Sequence, residues 1–329
     1  MSRKRGTQGA PNGRMAEADR LLVGGGDTLP EPEAAAVLYT QLAAEGVASA
    51  ASRAAVLAAM GVGRDQSWDE ALDLLAQAAR LGDRNARRQL AMFAGRFDDR
   101  AASGEAASEA LWTRLRGEID LAALLTPPVA RAVSDTPRIF VIKGFAPAGF
   151  SDWLIRRATG SLAPGEVNDA ASGEIRRHAM RTAMAASFPI LQRDVALAVM
   201  QERAARATGL SHYWHEPPNV LRYLPGQQFE PHFDFIDPAA PAFAPELSVL
   251  GQRVATCLTY LNDDFTGAET AFPELGWQFR GAPGDAVIFF NVDAEGRPDR
   301  RTLHAGLPPQ RGQKWILSQW LRDRGQPLV

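Results

Sequence analysis

His232, Phe233 and Asp234 place an imidazole and a carboxylate two residues apart. In a strand, residues i and i+2 face the same side, so this spacing would aim a nitrogen and an oxygen at one point. Those are two donors of the 2-His-1-carboxylate arrangement that suits non-haem Fe(II) with coordination positions left open. Read alone, the triplet also fits a buried imidazole beside an ordinary surface carboxylate, so a third donor must come from elsewhere. His178 lies in the basic stretch "RRHAMRT" and reads as a surface or filler residue. His212 and His215 form an H-x-x-H pair ahead of the C-terminal strands, where a loop role is expected. His304 follows the apolar "DAVIFFNV" and precedes a last strand, which makes it the best candidate by position. Beyond it, Lys314 heads "KWILSQWL", and alternation puts Lys314, Ile316, Ser318 and Trp320 on one face. Turned inward, the lysine and serine would be costly unless an acidic ligand enters there, pairing with the ammonium and accepting from the hydroxyl. Turned outward, they are surface residues and Trp315 and Leu317 are core. The strand by itself leaves both open.

Such residues, far apart in the chain, need a scaffold of strands to meet. From about residue 218 the chain supplies it: "NVLRYLPG", "EPHFDFID", "RVATCLTYLND", "TAFPELGWQFR", "DAVIFFNV" and "KWILSQWLRD" are short β-type runs divided by Gly, Pro, Asn and Asp. Many short strands with little helix between them predict a sandwich or jelly roll. Upstream, "RIFVIKGF" reads as a strand, and "DWLIRRATG" and "ILQRDVALAVMQERAARATG" as amphipathic helices.

The N-terminal half has a different texture. Residues 1–30 are polar and Gly-rich and read as a flexible tail, with a short helix around "MAEADRLLV". Between 31 and 124 the chain turns to Ala and Leu at helical spacing and repeats itself. Ala35 matches Ala71, Leu38 matches Leu74, Ala43 matches Ala79, Gly46 matches Gly82, Ala50 matches Ala86 and Ala55 matches Ala91, each offset by 36. Small residues let two helices approach and a glycine lets the chain turn between them, the pattern of a helix-turn-helix solenoid. The segment resembles Sel1-like repeats, relatives of the tetratricopeptide repeat, through Ala78, Ala79, Gly82, Ala86, Leu90 and Ala91. A plain Ala-rich bundle is the other reading. Residues 125–137 form a Pro-interrupted linker, after which 138–329 is the second domain. The fold expected is thus α+β: an all-α helical-repeat domain followed by a double-stranded β-helix, or jelly roll, with supporting helices.

Bulk properties exclude several functions. With 46% apolar residues in 329, the chain is globular. A formal charge of −2 gives no pull towards nucleic acid or anionic lipid. No apolar run is long enough to span a bilayer or to serve as a signal peptide. The single cysteine, Cys257, points to a reducing compartment and reads as a small core residue. A cytoplasmic location is expected.

Residues 136–329 resemble the prolyl 4-hydroxylase group of Fe(II)/2-oxoglutarate-dependent dioxygenases. The resemblance rests on "RYLPGQQFEPHFD", "TCLTYLND", "GAETAFP", "GDAVIFFN", "LHAGLPPQRGQKWILSQWL" and the upstream "RTAMAASFP", all in the order of that family. It implies that His232, Asp234 and His304 bind Fe(II) and that Lys314 pairs with the distal carboxylate of 2-oxoglutarate. It further implies that Tyr260 and Ser318 support that carboxylate, that Tyr223 and Trp320 lie near the cosubstrate, and that Thr256 contributes from the same face as Tyr260. Two departures are visible. Ala268 replaces the second of the family's paired glycines, and Phe229 stands where a tyrosine is common, removing a hydroxyl.

The activity implied is hydroxylation of a substrate C–H coupled to oxidative decarboxylation of 2-oxoglutarate to succinate and CO2, with O2 as oxidant and ascorbate as an accompanying reductant. The helical repeats favour a protein or peptide substrate, peptidyl proline first, because solenoids present concave binding surfaces. A free amino acid or other small molecule is the alternative substrate. A non-catalytic, repeat-bearing interaction protein is the reading from outside enzymology, and retention of the three donors and the lysine speaks against it.

Overall fold

The computed structural model describes residues 11–26, 28–96, 109–165, 167–168, 175–176 and 182–325. The described residues divide into two units, one up to Leu121 together with Ile190–Ala198, and the other Ala122–Pro189 with the residues from Val199 onward.

The first unit is helical: α1 (Pro11–Val23), α2 (Pro32–Ala44), α3 (Ala48–Met60), α4 (Trp68–Arg80), α5 (Arg84–Phe93) and a further helix, Glu109–Glu118. The residues matched by the internal offset occupy equivalent places. Ala35 and Ala71, Ala43 and Ala79, Ala50 and Ala86, and Ala55 and Ala91 are all buried. Gly46 and Gly82 turn the chain after α2 and α4 at φ of 91° and 99°, a region that a side chain would strain. Ser67 and Asp83 cap α4 and α5 by accepting from the backbone N–H of Glu70 and Ala86, which satisfies one orphan donor of each helix. Within the stretch read as a tail over 1–30, the short helix expected around "MAEADRLLV" is present as the longer α1. Helix α1 begins at Pro11 and buries Ala18 and Leu22, four apart and so on one face. Residues 1–10 lie outside the described residues.

The second unit is built from antiparallel strands: β1 (Arg131–Asp135), β2 (Arg138–Ile142), β3 (Ala163–Pro164), β4 (Val167–Asn168), β5 (Ile175–Arg176), β6 (Met184–Ser187), β7 (Asn219–Tyr223) and β8 (Phe229–His232), then β9 (Arg253–Tyr260), β10 (Thr266–Gly267), β11 (Thr270–Phe272), β12 (Trp277–Phe279), β13 (Ala286–Phe290), β14 (His304–Gly306), β15 (Pro309–Arg311) and β16 (Lys314–Arg322). The two amphipathic segments are helices, Phe150–Thr159 and Val195–Thr208. The linker expected over 125–137 ends earlier than its proline content suggested, because Arg131–Asp135 pairs with β2.

One sheet has eight strands in the order β1-β2-β13-β9-β16-β7-β6-β3, and a second has four, β12-β11-β14-β8. Period-two residues fill the space between them. Ile139 and Val141, Val287 and Phe289, Leu258 and Tyr260, Leu221 and Tyr223, and Ile316 come from the large sheet, and Phe272 and Phe279 from the small one. Along β16 both faces are buried, so alternation there separates two interiors instead of core from solvent.

Candidate metal centre and cosubstrate pocket

β8 and β14 are neighbours in the small sheet, and their register sets His232 directly opposite His304. This cross-strand pairing brings residues 72 positions apart to a ring-centroid separation of 4.3 Å. Asp234 lies past the end of β8, in a bend. Strand alternation therefore does not deliver it to the site, and the turn of the chain does. Asp234 Oδ1 is 3.7 Å from His232 Nε2, and Oδ2 is 3.4 Å from His304 Nε2. Among the described residues these three form the one group of His, Cys, Asp or Glu whose donor atoms lie within 4.8 Å of one another. His212 and His215 are not part of it, and His178 lies outside the described residues.

The imidazoles are oriented from behind. His232 Nδ1 is 2.7 Å from the carbonyl of Glu230, and His304 Nδ1 is 3.0 Å from that of Thr302. A carbonyl only accepts, so each Nδ1 carries the proton and each Nε2 turns a lone pair to the centre. This backbone anchoring of the far nitrogen is the arrangement that fixes metal-binding histidines. The Phe229 ring stacks on His232 at 3.5 Å, and Phe289 meets His304 edge-on at 4.7 Å, closing the apolar side. Burial would raise the Asp234 pKa, but the imidazolium forms of His304 and His232 and a hydrogen bond from Thr256 outweigh it and hold the carboxyl below its usual range, whereas holding a metal requires the neutral imidazoles. Donors about 2.1 Å from a common ion at right angles lie about 3 Å apart, and the three side chains each offer one donor atom within 4.8 Å of the others. Two neutral imidazoles and one carboxylate fit Fe(II).

A pocket adjoins this centre. Tyr223, Phe229, Thr270, Lys314, Ser318 and Trp320 line it together with the three donors. Lys314 is wholly buried at the start of β16, and burial pushes its amine down to about 7, with Glu269 partly countering. Its Nζ donates to Thr270 Oγ1 at 3.3 Å and lies over the rings of Tyr260 and Tyr223 at 4.9 and 5.6 Å. The inward reading of the β16 face is the one the fold adopts. Tyr260 stands one layer back: its hydroxyl donates to the Phe279 carbonyl at 2.8 Å and meets Thr270 Oγ1 at 2.8 Å. Thr256 is also behind the pocket, with its hydroxyl 2.7 Å from Asp234 Oδ2. Sequence reasoning missed Thr270 and Asn291, whose Nδ2 donates to Thr256 Oγ1 at 3.0 Å. Thr270 shares β11 alternation with the inward Phe272, which was the available signal. Cys257 points to the opposite face, buried, with its thiol raised to about 12, and stays protonated.

The sequence that carries this site is similar to known proteins. Residues 218–322 match the 2OG-Fe(II) oxygenase superfamily model. The chain is similar to probable prolyl 4-hydroxylase 6 of Arabidopsis thaliana, 32% identical over 212 residues that cover 58% of this chain and 71% of the relative. It is 41% identical over 119 residues to prolyl 4-hydroxylase subunit alpha-1 of Homo sapiens, covering 36% of this chain and 22% of that one. A viral collagen prolyl hydroxylase from Paramecium Bursaria Chlorella virus-1, in a 2OG complex, aligns at a TM-score of 0.43 with 27% identity, over 57% of this chain and 97% of that one. The chain belongs to the 2OG-Fe(II) oxygenase superfamily, in its prolyl 4-hydroxylase-like group, and that membership brings Fe(II), 2-oxoglutarate and O2.

Proposed function

We propose that the protein is an Fe(II)- and 2-oxoglutarate-dependent hydroxylase acting on proline within a peptide or protein, with a double-stranded β-helix as catalytic unit and a pair of Sel1-like repeats ahead of it. The observation that carries this reading is the convergence of His232, Asp234 and His304 beside a buried lysine.

His232, Asp234 and His304 would hold the iron, which when bound supplies the redox chemistry that couples decarboxylation of 2-oxoglutarate to hydroxylation of a C–H bond. The chain's own residues do the rest. Lys314 presents an ammonium to the distal carboxylate of 2-oxoglutarate, and Ser318 adds a hydroxyl donor at the same end, while Thr270, whose own proton goes to the Tyr260 oxygen, accepts from Lys314 Nζ. Tyr260 acts through Thr270, fixing its hydroxyl, and does not reach the pocket itself. Tyr223 and Trp320 wall the pocket and exclude water. Gly306 admits the Tyr223 hydroxyl, because a Cβ there would sit 3.2 Å from it. The relatives are described as prolyl 4-hydroxylases, which supports proline as the substrate residue.

The deciding experiment measures succinate formation with Fe(II), 2-oxoglutarate and either a proline-containing peptide or free proline. Peptide-stimulated succinate, with a 16 Da gain on a peptidyl proline, is expected. Stimulation by free proline alone would move the substrate to the free amino acid. In His232→Ala or Asp234→Ala, succinate formation should fall to background, and full turnover in either would end the assignment.

A further inference from the structure

The carboxylate between the two imidazoles is held by a two-residue relay. Thr256, fully buried on β9, donates its hydroxyl proton to Asp234 Oδ2 at 2.7 Å. Asn291, fully buried just beyond β13, donates through Nδ2 to the same hydroxyl oxygen at 3.0 Å. A hydroxyl has one proton and an amide NH2 only donates, so Asn291 obliges Thr256 to spend its proton on Asp234. The reverse orientation of the amide would draw that proton away and leave two acceptors facing each other at 2.7 Å. The Asn291 backbone is held in place, its N–H donating to the Val254 carbonyl and its main-chain carbonyl accepting from Asp299 N–H, both at 2.9 Å.

We propose that Thr256 and Asn291 are positioning residues that commit Asp234 to bind the metal through a single oxygen, its other oxygen being occupied by the Thr256 hydroxyl. The proposal rests on the metal-centre reading above. A carboxylate left to swing could offer both oxygens and take a coordination position that the cosubstrate or O2 requires. The outer partners of metal ligands act in this way, fixing orientation without touching the ion.

The test uses the full chain, stripped of metal and titrated with Co(II), reading affinity by calorimetry and coordination geometry by visible d–d absorption. Neither readout needs turnover. Thr256→Val keeps the shape and loses the hydroxyl. It is expected to weaken Co(II) binding about 10- to 100-fold or to alter the absorption bands, with Thr256→Ser restoring the parent spectrum and an affinity within about threefold. Asn291→Leu, which leaves the hydroxyl undirected, should fall between them. Parent-like affinity and spectrum in Thr256→Val, or equal impairment in Val and Ser, would overturn the relay. If circular dichroism shows Thr256→Val unfolded, Asn291→Leu decides, and parent-like values there overturn it. A parent chain that binds no Co(II) refutes the metal centre itself, and the relay with it.

Discussion

Lys314 carries a tension in the ligand-free fold. An amine held near 7 by burial is protonated in part at neutral pH, whereas in the unfolded chain it titrates near its ordinary 10.5. Between those values the unfolded state binds the extra proton. The ligand-free fold is therefore weakened as pH falls from 10.5 to about 7, and the penalty is constant below. The penalty is on the order of 4 kcal/mol at neutral pH. Lys314→Met should accordingly raise the melting temperature of the ligand-free protein while raising the KM for 2-oxoglutarate about 100-fold or more, since it removes a buried charge and a charge pair together. A lower melting temperature would mean that the amine is stabilised by partners in the free fold. In the proposed role of Lys314 as anchor for the distal carboxylate, the same group gives a pH dependence to cosubstrate affinity. Pairing with a carboxylate favours the ammonium, so the Kd for 2-oxoglutarate should be flat below about pH 7 and weaken above it, and Lys314→Arg should flatten the upper limb because guanidinium stays charged. Calorimetric titrations between pH 6 and pH 9 would check this. At this scale the site was largely legible: His, Asp and Lys are chemically conspicuous, and their places in the chain could be compared with a strand pattern. Thr270 and Asn291 were not, because hydroxyl and amide residues are common and their roles exist only through the neighbours that folding brings.

Elements position these residues by register, and register was partly hidden in the sequence. The pairing of β8 with β14, which sets His232 against His304, joins strands separated by five others along the chain, and no local pattern announces it. Alternation did place Lys314, Ile316, Ser318 and Trp320 on one face of β16, but could not say which face was interior, since both are. The far end of β16 is tied by charge. Glu216 accepts from Arg253 Nε and Arg322 Nε, each at 2.6 Å, and Arg253 lies over the Trp320 ring at 3.9 Å. Burial opposes the Glu216 charge, yet the two guanidinium groups outweigh it and hold the carboxyl below its usual value. Stability from this hub is present above the ordinary carboxylate range and is lost as pH falls through the lowered value. Glu216→Gln leaves Arg253 and Arg322 without their shared counter-charge and should destabilise by about 3–5 kcal/mol in urea unfolding at pH 7. The gap to the parent should close at strongly acid pH, where the parent's own carboxyl is neutral. A gap independent of pH would assign the effect to shape and not charge.

At the scale of the molecule, the chain is less simply divided than its composition suggests. The shift from Ala-rich helices to short strands marks a boundary that the sequence displays plainly, and the structure divides the chain nearby, after Leu121. What composition cannot show is that Ile190–Ala198, far into the second half, belongs with the helical unit. Its Ile190, Val195, Ala196, Leu197 and Ala198 are buried, and Ala196 N–H donates to Gln89 Oε1 on α5 at 2.9 Å. Arg193 Nη1 reaches the sulfur of Met60 at 3.6 Å in the same unit. An apolar segment with partners 100 residues earlier reads, from sequence, only as the start of an amphipathic helix. The consequence concerns truncation. A chain beginning at residue 122 keeps every residue of the metal centre and the pocket, but strips this segment of Gln89 and its apolar neighbours. Exposing several large aliphatic side chains together favours association. The truncated chain is therefore expected to be less soluble and to lose cooperative thermal unfolding, although His232, Asp234 and His304 are all present. Co-expression with residues 1–121 should recover soluble protein, because the segment regains its partners by association. A truncated chain that is monomeric by light scattering and melts like the parent would show that the second unit stands alone.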